Sequence, residues 1–396
     1  MQLSDIAEAI VDCEHKTAPK GDGFAYSVGT KAMKGGRLVL DAAKPVSEET
    51  YVGWTRRTRP KPGDLILARE APVGDVIRVP EHPLLCLGQR TVLIRPDAKM
   101  VHPRFLHYWL LGPDAQGVMR AQTGGATVGH LNVGDIRKLN VTPMPVDADH
   151  QANVAEVLGS IDDLIENNRR RIELLEETAR AIYREWFVNY RYPGHADVPL
   201  VDSALGPIPE GWRAATIGDA LELKYGKALK ASARRGGGVA VVSSAGVVGW
   251  HDEPFVDGPA IVVGRKGNVG SVHWVDGPCW PIDTAYFVQT DLPLRFVSEQ
   301  LRRTAFTNSH AAVPGLSREA AYAQPFLFPD VKVLDSFQSL VDPLGSHATG
   351  LMLQNEKLAE VRDLLLPKLV TGQIDVPSRD HDAVISTGST ESSSVA

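Results

Sequence analysis

Cysteine is scarce in this sequence: the 396 residues contain only Cys13, Cys86 and Cys279, which lie far apart along the chain. A cysteine-based zinc module needs Cys pairs at short spacing, and a disulfide framework needs several pairs. The sequence therefore excludes both. The histidines are scattered as well, without the His/Cys/Asp spacing of a metal site, so we assign no metal ligands.

Long apolar runs and an excess of positive charge are also missing. Runs such as residues 65–68 and 239–242 have the length of a strand, and the first five residues do not open a basic and apolar leader. We therefore expect a cytoplasmic protein without a membrane partner. The formal net charge of −6 argues against a nonspecific polycationic nucleic-acid binder, but it leaves room for local basic patches.

The motifs of several nucleic-acid enzymes do not occur in the chain. An amino-methyltransferase needs a glycine-rich cofactor loop and a compact Asn/Asp-Pro-Pro-aromatic motif, and neither is present. Residues 264–271 fail as a P-loop because no lysine follows the second glycine at the required spacing. Glu222 and Lys224 have the Glu-x-Lys shape of a Mg²⁺-dependent nuclease, but Asp219 is expected on the same short helix, and chance explains the motif better. No catalytic residue is assigned.

One segment of the chain occurs twice. Residues 63–76 (GDLILAREAPVGDV) are echoed by residues 258–272 (GPAIVVGRKGNVGSV), and an apolar strand-like run follows each copy. Repetition at this distance indicates a duplicated domain. Because there is no short solenoid period, the repetition suggests two copies of a recognition domain joined as one pseudo-symmetric molecule.

Residues 150–187 predict one long helix, since they contain a single glycine, Gly159, and no proline, and their apolar residues recur at steps of three and four. Residues 337–365 repeat this spacing, and four leucines among them keep strict sevenfold steps. Helices with such narrow apolar stripes need a partner, so we expect the two to pair. The predicted helix-pair or subunit interface consists of Leu158, Ile165, Ile172, Leu175, Leu344, Leu351, Leu358, Val361 and Leu365.

Composition predicts the boundaries of six segments. Pro343 is expected to break or delay the second long helix and Pro367 to bend its last turn. From Pro377 onward the density of Ser and Thr predicts a disordered tail. The segments are a first domain (1–146), a long helix (147–190), a linker (191–204), a second domain (205–332), a second long helix (333–374) and the tail (375–396).

The order of globular domain, long helix, globular domain and long helix resembles the specificity (S) subunit of type I restriction-modification systems. The match runs from Leu3 to about Val376 and rests on several local strings in the right order and spacing. These strings are residues 88–96 (GQRTVLIRP), 165–172 (IENNRRRI), 186–188 (WFV), 208–212 (IPEGW), 224–229 (KYGKAL), 280–284 (WPIDT) and 365–372 (LLPKLVTG).

The resemblance implies an α+β fold in which two similar mixed α/β target-recognition domains are separated by a long antiparallel two-helix coiled coil with pseudo-twofold symmetry. Each domain would read one half of a split sequence in double-stranded DNA, and the helices would set the distance between the halves. The helices would also dock two methyltransferase (M) subunits.

The resemblance further implies that the chain is non-catalytic and has no cofactor of its own. S-adenosylmethionine, ATP and Mg²⁺ would belong to the M subunits and to the restriction/translocase (R) subunits. Together they would carry out adenine methylation or DNA cleavage. The alternatives are a stand-alone Mg²⁺-dependent nuclease and a coiled-coil scaffold that does not bind DNA.

Arg69 and Arg265 occupy equivalent points of the repeat, each just after an apolar strand. A guanidinium there would meet a guanine edge or a phosphate, and the alternative is a structural salt bridge at a strand end.

Other basic residues gather around Tyr225 and the glycines of residues 236–238, as in a mobile loop that follows a DNA backbone, and around residues 56–61. A solvated surface is the alternative for both groups. The residues predicted to contact DNA are Lys16, Thr17, Arg56, Arg57, Arg59, Arg69, Arg90, Tyr225, Lys227, Lys230, Arg234, Arg235, Arg265 and Lys266. Residues 124–130 are ranked as a turn above a DNA-contacting loop, and residues 169–171 receive no base-reading role.

Overall fold

The computed structural model describes residues 1–122, 129–306 and 315–376. Most of the predicted turn at residues 124–130 and the predicted tail from Pro377 lie outside the described residues. The chain divides into two compact units, Met1–Glu166 with Asn355–Ala396 (unit 1) and Asn167–Gln354 (unit 2). None of the helices within the described ranges has the length and apolarity that crossing a bilayer requires.

Short strands and helices make up most of the structure, apart from two helices of 40 residues each. The helices are α1 (Glu48–Trp54), α2 (Pro103–Leu111), α3 (Pro113–Gln122), α4 (Val133–Arg137), α5 (Ala148–Phe187), α6 (Ile217–Ala220), α7 (Leu294–Arg303), α8 (Arg318–Tyr322) and α9 (Val331–Val370). The strands are β1 (Ala7–Asp12), β2 (Ala25–Val28), β3 (Met33–Lys34), β4 (Arg37–Leu38), β5 (Lys44–Val46), β6 (Leu65–Arg69), β7 (Val73–Arg78), β8 (Leu85–Leu87), β9 (Thr91–Pro96), β10 (Leu200–Val201), β11 (Ile208–Pro209), β12 (Arg213–Thr216), β13 (Glu222–Tyr225), β14 (Val239–Ser243), β15 (Gly246–His251), β16 (Ala260–Gly264), β17 (Val272–Val275), β18 (Cys279–Pro281), β19 (Ala285–Gln289) and β20 (Pro325–Phe328).

Unit 1 is organised around a four-stranded antiparallel sheet in the order β1-β9-β6-β7. β6 is an interior strand and is buried at every position, which explains why its sequence is a continuous apolar run rather than an alternating one. One face of the sheet packs on α2 and α3 through Phe105 and Trp109. The other face packs on the smaller sheet β5-β2-β8 through Ile66 and Ile77.

Unit 2 has the same topology. Its four-stranded sheet has the order β13-β19-β16-β17, and its smaller sheet β15-β14-β18 combines one antiparallel and one parallel pair, as β5-β2-β8 does. The two repeated segments of the sequence form β6–β7 in unit 1 and β16–β17 in unit 2. The predicted duplication and the mixed α/β class are therefore confirmed.

In unit 1 the first half of α5 pairs with the last part of α9. His150 Nε2 lies 3.1 Å from the carbonyl of Leu369, and Asn355 Nδ2 donates to the carbonyl of Ile165 at 3.3 Å. Contacts that run to lower numbers on α9 as they rise on α5 make the pair antiparallel. Arg362 Nη1 also bonds Asp162 Oδ1 at 3.0 Å across this pair.

In unit 2 the second half of α5 pairs antiparallel with the first part of α9. Asn168, which is only 1% exposed, donates from Nδ2 to Gln354 Oε1 at 3.0 Å. Further along, Tyr183 and Phe187 of α5 meet the ring of Phe337 on α9. A buried amide in the seam favours one register over its neighbours, because a slip would bury that amide without its partner.

The predicted interface residues differ in burial. Leu158, Ile165 and Leu351 are buried, whereas Val361 is 46% exposed and lies off the buried stripe. The remaining predicted members are half-buried, and they are Ile172, Leu175, Leu344, Leu358 and Leu365.

The predicted break at Pro343 is wrong, because α9 continues through both Pro343 and Pro367. Pro343 is exposed, and Val341 packs in the core of unit 2 two residues earlier. This packing offsets the single backbone hydrogen bond that a proline removes from a helix.

Candidate nucleic-acid interface

The two four-stranded sheets carry the candidate residues at equivalent strand ends. β6 ends at Arg69, and Arg265 directly follows the end of β16. β1 ends at Asp12 and β13 at Tyr225. Because the strand orders match, Arg69 and Arg265 occupy equivalent positions in the two sheets, as do Asp12 and Tyr225.

Arg69 is embedded in unit 1, with its side chain only 8% exposed. Its Nη2 lies 3.2 Å from His15 Nδ1, its Nη1 donates to the carbonyl of Leu131 at 3.5 Å, and its Nε lies 3.6 Å from Asp12 Oδ1. A guanidinium in this position supports its neighbours and does not present itself to solvent. The geometry favours the structural alternative for Arg69.

Exposed basic side chains surround the buried arginine. His15 Nε2 lies 2.8 Å from Asp12 Oδ2, and Glu70 lies 3.2 Å from Arg90 Nε and 2.6 Å from His130 Nδ1. About half of each of these three side chains is accessible. His130 was missed because only the folded chain brings it to Glu70, through an isolated bridge between the two backbones.

His15 and Arg90 both have left-handed backbone conformations, with φ of 53° and 68°. Such a conformation is strained for residues other than glycine and persists only where the surroundings hold it. Gln89 provides part of that hold, since its Nε2 donates to the carbonyl of His15 and its Oε1 accepts from Thr17 Oγ1, both at 3.1 Å. His15 and Arg90, two exposed basic residues of unit 1, are thus presented on ordered loops.

Asp12, Cys13 and His15 form a group whose potential ligand atoms lie within 4.8 Å of one another. The Arg69 guanidinium contacts both Asp12 and His15, and a cation already in that position opposes the binding of a metal ion. We therefore assign no metal to this group.

A basic rim flanks this network in unit 1. Arg57 pairs with Glu14 at 3.6 Å, and Arg56 donates to the carbonyl of Gly53, in the preceding helix α1, at 3.1 Å. Lys16 and Arg59 are exposed, and no carboxylate among the described residues lies within ion-pair distance of either. The predicted phosphate contacts therefore include both partly compensated and uncompensated charges.

In unit 2 an exposed tyrosine carries two guanidiniums. Tyr225 is 47% exposed, and the Cζ atoms of Arg265 and Arg318 lie 4.9 Å and 4.6 Å from its ring centroid. Arg265 Nη1 also donates to the carbonyl of Asp283 at 3.0 Å, which fixes its orientation. Stacking on an aromatic face leaves the edge of a guanidinium free to bond a planar acceptor pair. Sequence reasoning missed Arg318, which comes from α8.

Lys227 is the second cation on an aromatic surface of unit 2. Its Nζ lies 5.5 Å from the ring centroid of Trp280 and 6.0 Å from that of Phe255, and Trp280 Nε1 donates to its carbonyl at 2.8 Å. Gly226 allows this approach, because a Cβ there would overlap the backbone of Ile282. Lys230, on the same loop as Lys227, and Lys266, next to Arg265, are exposed and make no ion pair to any described carboxylate.

The arginines of the predicted mobile basic loop are tied to the β14–β15 hairpin. Arg234 Nη1 donates to the carbonyl of Val248 at 2.6 Å. Arg235 pairs with Asp252 and Glu253, both at 2.8 Å, so its charge is largely compensated. The loop is therefore anchored at two points.

The Glu-x-Lys pair lies on a strand, so the expectation that Asp219 shares one short helix with it is wrong. Lys224 Nζ pairs with Glu222 at 2.6 Å. The Asp219 carboxylate caps α6 by accepting from Thr216 N at 2.9 Å and from Thr216 Oγ1 at 2.7 Å, and these hydrogen bonds lower the pKa of Asp219. Both carboxylates are thus engaged in local contacts.

Comparison with known proteins finds relatives of one kind. The type I restriction enzyme MjaIX specificity subunit of Methanocaldococcus jannaschii is 24% identical over 367 residues, which cover 84% of this chain and 82% of that one. The type I restriction enzyme HindI specificity subunit of Haemophilus influenzae is 19% identical over 376 residues, which cover 73% of this chain and 81% of that one.

The fold has a counterpart among solved structures. The S subunit of a type I restriction-modification system from M. genitalium matches with a TM-score of 0.51 at 15% identity, covering 95% of this chain and 96% of that chain. No protein-family model matches the sequence.

Proposed function

We infer the function of this chain from its family: it is a specificity subunit of a type I restriction-modification system. The chain is a non-catalytic recognition protein that reads a target sequence in double-stranded DNA. Its two mixed α/β domains each read one half of a bipartite site.

The observation that carries this proposal is the pair of equivalent strand ends with different side chains. In unit 1 the surface consists of His15, Arg90 and His130 around two carboxylates, and in unit 2 it consists of Arg265 and Arg318 stacked on Tyr225. One scaffold with two side-chain sets is what two half-sites of different sequence require. A catalytic protein would need no such pair of surfaces.

In unit 2 we assign Arg265 and Arg318 to base edges or phosphates. A guanidinium that offers two parallel donors matches the O6 and N7 acceptors of guanine in the major groove. Lys227, Lys230 and Lys266 are proposed to contact phosphates, which position the domain without reading sequence.

In unit 1 we assign the outer layer of the network, Arg90 and the two histidines, to the DNA. Arg69 is proposed to hold that layer in place from beneath. The basic rim of Lys16, Arg56, Arg57 and Arg59 is proposed to contact phosphates, together with the hydroxyl of Thr17.

The long helices are proposed to carry the partner subunits. Leucines on them remain exposed, including Leu174 at 64% and Leu364 at 68%, and exposed apolar side chains mark interaction surfaces. Two M subunits would bind there, with R subunits joining for cleavage. Those partners would bind S-adenosylmethionine, ATP and Mg²⁺. The assembly would act on DNA in the cytoplasm.

Sequencing of methylated bases in cells with and without this chain tests the proposal. We expect a bipartite methylated motif that disappears when the gene is deleted and returns on complementation. An unchanged set of methylated motifs would contradict DNA reading. Cleavage of DNA by the purified chain with Mg²⁺ alone would instead support the nuclease alternative, and no mobility shift in the presence of M subunits would support the scaffold.

A further inference from the structure

The helix that follows the four-stranded sheet in each unit begins with the same short pattern. Pro103, Arg104 and Phe105 open α2, and Leu294, Arg295 and Phe296 open α7 directly after a proline. Both phenylalanines are fully buried in the cores of their units. Each arginine is thereby placed at the start of a helix whose position is fixed by the core.

Arg104 lies across a glycine of α5. Its Nη2 donates to the carbonyl of Gly159 at 2.8 Å and to Asp163 Oδ1 at 2.6 Å. A Cβ on Gly159 would overlap the guanidinium of Arg104, so the glycine leaves the space that the guanidinium occupies. The two acceptors lie one turn apart along α5, so the bonds resist both sliding and rotation.

Arg295 repeats this contact on α9. A Cβ on Gly345 would overlap the guanidinium of Arg295. The Nε of Arg295 lies 3.9 Å from Asp342 Oδ1, one turn away on α9, and its Cζ lies 4.6 Å from the ring centroid of Trp274. In both units the arginine therefore contacts the long helix that follows its own domain in sequence.

The placement of glycine in the long helices supports a specific role. Glycine disfavours a helix interior, and Gly159 is the single glycine of α5. α9 has a second glycine, Gly350, whose Cβ would meet nothing within 4 Å. Gly159 and Gly345 are thus distinguished from an ordinary helix glycine by the guanidinium that fills their place.

We propose that Arg104 and Arg295 are positioning residues that fix the orientation of each target-recognition domain on its long helix. Their guanidiniums occupy the space that the missing side chains of Gly159 and Gly345 leave. This inference rests on the proposed function. Neighbouring base pairs of a duplex are rotated by roughly 35° and separated by about 3.4 Å. A domain that turns or slides on its helix therefore meets half-sites of a different spacing, so the two contacts set how strictly spacing is read.

The test measures methylation of sites whose half-sites are separated by the native spacer and by spacers one base pair shorter or longer. The wild-type chain, expressed with its M subunits, establishes the motif first, and failure at that step would count against the proposed function alone. Gly159→Ala and Gly345→Ala are then compared with Gly350→Ala, a matched substitution in the same helix as Gly345 and without a guanidinium nearby.

We expect Gly159→Ala to reduce the preference for the native spacer by about tenfold, the factor for loss of one charge-assisted hydrogen bond. Gly345→Ala should reduce this preference by a smaller factor, because Arg295 is held by stacking on Trp274 and by a 3.9 Å ion pair with Asp342. Gly350→Ala should keep the preference. Arg104→Gln should reproduce the effect of Gly159→Ala, and Gly159→Ala with Arg104→Gln should be no worse than either alone, because both remove the same contact.

A purely structural role predicts a different pattern. In that case the total methylation of each variant would fall in proportion to its stability against urea. The ratio of methylation at native-spacer sites to methylation at altered-spacer sites would stay constant in every variant. That result, or an equal loss of spacing preference in Gly350→Ala, would overturn the proposal. Arg104→Lys provides a folded variant if alanine at Gly159 prevents folding, and it should retain part of the preference through its single charge.

Discussion

Arg69 and Arg265 occupy the same position of the repeat, and we predict that replacing each by methionine has opposite consequences. Methionine keeps much of the aliphatic stem and removes the charge. At Arg69 the change leaves Asp12 and Glu70 without their buried counter-charge, although His15, Arg90 and His130 still pair with them. Breaking a fully buried pair costs about 3–5 kcal/mol. Because these carboxylates are 23% and 22% exposed, we expect a loss of about 2–3 kcal/mol.

At Arg265 the same change removes an exposed hydrogen bond to the carbonyl of Asp283, which water replaces, and a stacking contact with a half-exposed tyrosine. Such a contact is worth about 0.5–1 kcal/mol to folding. If the guanidinium bonds a base, however, its loss costs about 1–3 kcal/mol of binding, which is roughly five- to 150-fold in affinity. Arg265→Met should therefore fold nearly as well as wild type and bind its target DNA poorly.

Urea unfolding followed by circular dichroism measures the first quantity, and a mobility shift with M subunits present measures the second. Arg213→Met is the matched control, since Arg213 stacks on Phe328 at 4.3 Å on another part of unit 2 and is assigned no DNA contact. Its stability should change as little as that of Arg265→Met, and its DNA affinity should stay unchanged. A stable Arg69→Met variant with weakened DNA binding, or an Arg265→Met variant that unfolds readily and still binds DNA, would refute the assignment.

Three further predictions concern the cores. Phe337→Ala should lower the free energy of unfolding by about 3–5 kcal/mol, because the ring is 1% exposed and meets Tyr183, Trp186 and Phe187; urea unfolding checks this, and a loss below 1 kcal/mol would contradict it. Burial lowers the pKa of His107 below its ordinary value, so the unfolded chain binds the proton more readily and the free energy of unfolding should fall as the pH drops below about 6.5. His107→Gln should weaken this pH dependence, as measured by urea midpoints between pH 5 and 8. An equally steep profile in the variant would count against the prediction. Burial raises the pKa of the Cys86 and Cys279 thiols to about 11, so native protein at pH 8 should alkylate at these residues at least tenfold more slowly than protein in urea, as mass spectrometry of the labelled peptides would report.

Much of the fold could be predicted from the sequence because the relevant signals are local. The repeated segments predict two domains of one kind, and both form the same adjacent strands in sheets of the same order. The apolar spacing of the long helices reflects packing against a partner along their whole length, so it is readable without knowing that partner. Pro343 shows the limit, since its effect depends on packing in unit 2 that the local sequence does not contain.

The candidate interface was less predictable, since it is assembled from distant parts of the chain. Arg318 meets Tyr225, and His130 meets Glu70, only through the tertiary fold. The burial of Arg69 and the partial exposure of Arg265 cannot be read from the repeat either, because both follow the same kind of apolar strand. What separates them is the neighbouring charge: Asp12 ends β1 where Tyr225 ends β13.

The long helices also determine the order in which the protein can mature. The core of unit 1 includes Leu369 and Val370, and His150 contacts a residue 219 positions further along the chain. At about 5–20 residues per second, synthesis takes roughly 10–40 s to deliver that part of α9. Until then the core of the nascent amino-terminal domain lacks Leu369 and Val370 and leaves the apolar side chains that pack on them exposed. We therefore expect unit 1 to complete its core only after unit 2 has been synthesised.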